Sequence, residues 1–112
     1  MNDISNLPVG SPGLGAKPLA MLAGEKRPDL LRDEVLGEIF SATVAERGAH
    51  PALTDGGQSL SYEAVWTAAG RQARALVLAG VGPGDMVGLW MPRGIALLVA
   101  QIAITRAGAA WI

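Results

Sequence analysis

Apolar positions fall into three helical stripes, separated by short alternating or continuous apolar runs. Leu36, Ile39, Phe40, Thr43 and Val44 recur three and four apart, which predicts an amphipathic helix ending near Arg47-Gly48. Asp33 is the expected N-cap, because its carboxylate can accept the first free amides. Pro51 to Thr54 reads as a short strand, Asp55-Gly56-Gly57 as its turn, and Gln58 to Leu60 as the returning strand. Ser61 is placed to cap a second helix running to about Ala79, with Glu63 in the first turn, where the helix dipole favours an anion. Its inner face is marked by Val65, Ala69, Gln72 or Ala73, and Leu76, and its many alanines imply close contact with something flat.

A tight corner follows at Gly80-Val81-Gly82-Pro83-Gly84-Asp85. The next run, Met86 to Met91, is apolar on both alternations, so both faces of the strand are expected to be covered. Pro92 and Arg93 are expected to open a third helix with the stripe Ile95, Leu98, Val99 and Ile102. Gly108 ends that helix, and Ala109 to Ile112 begins another strand. Strand, helix and strand at this spacing form a right-handed parallel crossover, so the fold class is α/β. Ile112 falls inside a strand, so the sheet reads as incomplete and the chain as a piece of a larger enzyme. Residues 1–32 read as a Pro/Gly-rich leader or linker, partly mobile, and residues 33–112 as the ordered segment. Within the leader only Leu19-Ala20-Met21-Leu22-Ala23 offers an apolar run that can dock on a neighbour.

Composition narrows the functional classes. At 112 residues, half of them hydrophobic, the chain supports one small domain. Nine basic residues oppose ten acidic ones without any block of like charge, which gives no case for nucleic acid or an anionic membrane. The absence of cysteine excludes a disulfide framework and thiolate chemistry from these residues, and one histidine makes a metal site unfavourable. The N-terminus lacks the pattern of a secretory signal. The apolar stretch Ile95 to Thr105 is too short to span a bilayer, is interrupted by Gln101 and is bracketed by Arg93 and Arg106. These features point to a cytoplasmic protein.

Candidate chemistry is sparse. Gly80, Gly82 and Gly84 resemble part of a dinucleotide fingerprint, but they follow a helix and precede a strand, and Pro83 has no amide for a phosphate. His50 lies just past a helix end, where a structural or exposed role is expected. Asp85 is expected to bond its own turn. Arg93 stands after the apolar strand, where ligands approach open α/β sheets, although its charge opposes the local helix dipole. Trp66, Trp90 and Trp111 are read as core or interface residues.

Three segments carry a family resemblance. Leu60-Ser61-Tyr62-Glu63-Ala64-Val65 resembles the first core motif of the adenylate-forming (ANL) superfamily. Gly80 to Val87 resembles its glycine-rich corner, and Arg106-Ala107-Gly108-Ala109-Ala110-Trp111-Ile112 is similar to its second core motif. The resemblance covers about residues 31–112, with Val65 in place of a usual leucine and Trp111 in place of a common tyrosine. The Gly-Ala-Ala-Trp-Ile ending leans toward the adenylation domains of nonribosomal peptide synthetases; acyl-CoA synthetases and a non-catalytic α/β interaction module stay open as alternatives.

What the resemblance implies concerns a complete enzyme. Such an enzyme activates an amino acid with ATP and Mg2+ as an aminoacyl-adenylate, releases pyrophosphate and passes the acyl group to the phosphopantetheine thiol of a carrier protein domain. The implied partners are the remainder of the adenylation domain and that carrier. The phosphate loop, the acidic residues for ribose and metal, and the catalytic lysine of this superfamily match no position in residues 1–112. No catalytic, cofactor-binding or metal residue is therefore assigned, and the segment alone is expected to be inactive.

Overall fold

The computed structural model describes residues 22–112. The leader expectations for residues 1–21, including most of the apolar run from Leu19, lie outside the described residues. Residues 22–32 are exposed and hold a short 3-10 helix, Pro28–Leu30. Arg27 donates to both carboxylate oxygens of Asp29, at 2.9 and 2.6 Å. This charge-assisted pair holds the Asp29 carboxyl below the usual carboxylate range and raises the Arg27 guanidinium.

Residues 33–112 form a compact unit of their own. Helix α1 spans Leu36–Arg47. It starts later than expected from Asp33, because Val35 is the N-cap and its amide donates to Glu38 Oε2 at 3.1 Å. This is half of a capping box: the glutamate reaches back, and valine offers no side-chain acceptor in return.

Strands β1, Pro51–Asp55, and β2, Gln58–Ser61, pair antiparallel, with Asp55 opposite Gln58 and Leu53 opposite Leu60. Gly56 and Gly57 both adopt positive φ, at 53° and 85°, as a two-residue turn of this hand demands. Helix α2, Tyr62–Leu78, follows at once. Ser61 Oγ accepts from the Ala64 amide at 3.1 Å, as expected of the cap.

The core lies between α2 and helix α3, Ile95–Arg106. Val65, Ala69 and Ala73 of α2 meet Val99 and Ala103 of α3 in one buried cluster. The alanines of α2 therefore serve a close helix–helix contact, with Ala52, Leu53 and Leu60 of the hairpin packed against the same cluster, and Ala73 rather than Gln72 is the buried choice. Small side chains at this seam let two backbones approach closely. Val65 and Ile104 are the largest fully buried side chains among the described residues. Burying a side chain of that size is worth about 1.5–3 kcal/mol.

Helix α3 begins at Ile95, not at Pro92 or Arg93. Gly94 has φ 152° and ψ −174°, backbone that no helix continues through and that excludes most other residues. Leu98, expected on the inner stripe, is exposed; Val99 is buried as expected, together with Ala100, Ala103 and Ile104.

Strands β3, Met86–Val87, and β4, Ala110–Trp111, pair in parallel across α3, giving the expected crossover unit. The pairing extends past both strands, since Leu89 donates to the Ile112 carbonyl at 2.9 Å. The sheet stops at two strands among the described residues. The expectation that both faces would be covered is corrected. Val87, Leu89 and Trp111 are half-buried, while Met86, Gly88, Trp90, Ala110 and Ile112 are exposed. Burial alternates residue by residue, as in a sheet packed on one side only.

Candidate functional site

The helix starts are where a phosphate would find free amides. At α2 the first three amides are already bonded. Tyr62 donates to the His50 carbonyl at 3.0 Å, Glu63 to the Gly48 carbonyl at 2.9 Å, and Ala64 to Ser61. These bonds join the α1–β1 connection to α2 and close that terminus to an anion. At α3 the Asp55 carboxylate stands close to the cap; Oδ2 is 3.1 Å from where a Cβ on Gly94 would lie. The close approach puts negative charge beside the helix start, where the φ of 152° at Gly94 already favours glycine.

The candidate residues of the sequence are distributed over separate elements. His50 is exposed between α1 and β1, and its backbone carbonyl makes the structural contact. Asp85 accepts from the Gly82 amide at 2.9 Å, so it bonds its own turn as expected. Arg93 is exposed and, with Asp55, Gln101 and Leu98, lines an open depression of about 450 Å³. Among the described residues no group of three or more His, Cys, Asp or Glu can hold a metal ion.

The three tryptophans have three fates. Trp66 is half-buried in a stack with Phe40, ring centroids 5.7 Å apart and planes 27° from parallel. Arg106 covers Trp66, with its guanidinium carbon 3.6 Å from the ring centroid, and donates to the Trp66 carbonyl at 2.6 Å. This cation–π contact joins α2 to the end of α3 and is worth about 0.5–1 kcal/mol at an exposed site. Gly70 makes room for it, because a Cβ there would lie 2.7 Å from Arg106 Nη1. Trp111 lines an apolar groove of about 430 Å³ with Phe40, Leu53, Tyr62 and Ile102. Trp90 is fully exposed. The Arg106–Trp66 pair escaped the sequence reading, since 40 residues separate its members. The one local signal was a glycine in mid-helix, where it costs helicity unless something needs the space.

Two motifs meet directly. Gly108, at φ 85°, faces Pro83, whose Cγ lies 3.1 Å from the position of an added Cβ. The Ala110 amide donates to the Asp85 carbonyl at 3.0 Å. The glycine-rich corner and the end of α3 therefore wedge against each other where β3 and β4 begin.

An α/β crossover unit preceded by a hairpin and a capped helix is the class this architecture defines. Residues 40–112 match the AMP-binding enzyme family, and the chain belongs to it. It is an adenylate-forming (ANL) superfamily sequence, homologous to adenylation domains of nonribosomal peptide synthetases.

Delta-poly-L-ornithine synthetase of Acinetobacter baumannii is 44% identical over 92 residues, which cover 82% of this chain and 7% of the synthetase. An artificially fused adenylation–PCP di-domain from Klebsiella oxytoca, NpsA-ThdA, matches with a TM-score of 0.66 at 20% identity, over 68% of this chain and 14% of that one. The NpsA N-terminal subdomain matches with a TM-score of 0.65 at 20% identity, over 68% of this chain and 20% of that one. At that identity the solved structures establish the fold. The chain thus spans a small part of the proteins it matches.

Proposed function

We propose that residues 33–112 act as the opening segment of the N-terminal subdomain of an amino-acid-activating enzyme. Their role there is architectural: they bring a preformed helical layer and a two-stranded edge onto which further sheet is added. The complete enzyme would join an amino-acid carboxylate to the α-phosphorus of ATP, expel pyrophosphate and transfer the acyl group to a carrier-bound phosphopantetheine thiol. The groups for phosphate, ribose and metal would come from elsewhere in that enzyme, since the first amides of α2 are taken by two protein carbonyls and a hydroxyl and the start of α3 faces the Asp55 carboxylate.

The observation that carries this reading is the bare outer face of β3 and β4. Met86 on β3, and Trp90 and Ile112 just beyond the two strands, are exposed around this parallel pair. Parallel sheets in α/β proteins are covered on both faces, so these side chains ask for another layer. The similarity to the ornithine-polymer synthetase favours an amino acid as the activated acid.

The test is a graft. Residues 33–112 replace the matching segment of an adenylation domain in the Acinetobacter synthetase, and amino-acid-dependent ATP–pyrophosphate exchange is measured. Retained exchange is expected. A folded chimaera that exchanges only with fatty or aryl acids, or not at all, would count against the reading.

A further inference from the structure

No further inference is drawn: the strongest candidate, the apolar groove of about 430 Å³ between α1, the β1–β2 hairpin and α3, lined by Phe40, Leu53, Tyr62, Ile102 and Trp111, carries nothing because nothing in the structure shows what covers it.

Discussion

The α2–α3 seam and the β3–β4 pair treat apolar residues in opposite ways. The seam buries mainly small side chains, among them Ala69, Ala73 and Ala103, and closes completely. The strand pair carries larger ones, and Met86, Trp90 and Ile112 stay in contact with solvent. Hydrophobicity alone would rank the two regions the other way round. Burial here follows the supply of a facing surface, which α2 and α3 provide for each other and which β3–β4 receives on one side only. The seam is closed by its own two helices, and the outer sheet face stays open among the described residues.

That contrast can be broken most forcefully at the seam. Val65→Ala removes one of the two valines of the buried seam cluster and is expected to cost about 1.5–3 kcal/mol, read from the urea midpoint of unfolding. A loss under 1 kcal/mol would mean that the seam is not the structural centre. Next comes the wedge between the two motifs. Gly108→Ala forces an L-residue to φ 85° against Pro83, at a backbone cost of about 1–2 kcal/mol before the contact is counted. Pro83→Ala should recover part of that loss in the double variant and leave the backbone cost in place, which a double-mutant cycle measures.

A smaller effect is expected at Arg106→Met, which keeps apolar bulk over Trp66 but removes the cation. Stability should fall by about 0.5–1 kcal/mol, with a shift in tryptophan emission against a Trp90→Phe, Trp111→Phe background. The smallest change in the chain itself belongs to Trp90→Ser. It should move stability by no more than about 0.5 kcal/mol, because the side chain is exposed. The same substitution in the grafted adenylation domain should reduce pyrophosphate exchange at least about tenfold, if the outer face is buried there by a second layer. Equal, small effects in both settings would remove the distinction between the two regions.

Local chemistry explains which elements were legible in the sequence. The hairpin and the start of α2 followed from Gly56-Gly57 and from Ser61, residues whose roles are decided within a few positions. The crossover and the family were legible because Gly80 to Asp85 and Arg106 to Ile112 stand in order at a fixed separation. The start of α1 was not, since Asp33 has the side chain of an N-cap and Val35 has none, and only the bond from the Val35 amide to Glu38 marks the later opening. The start of α3 was misplaced for a similar reason: Pro92 suits a first turn, but Gly94 interrupts it. The covering of Met86 to Met91 was misread because a run of apolar residues records a preference for burial without saying what polypeptide supplies it. The Arg106–Trp66 contact was not legible either, since 40 residues separate its members.

The contact of Pro83 with Gly108 gives the two parallel strands a common origin. Because neighbouring side chains point to opposite sides, one residue inserted between Gly108 and Ala110 would put Ala110 in place of Trp111 on the packed side and present the indole to water, and one inserted before Met86 would likewise put Met86 in place of Val87. The lengths of these two corners are thus under tighter constraint than the identity of most residues around them.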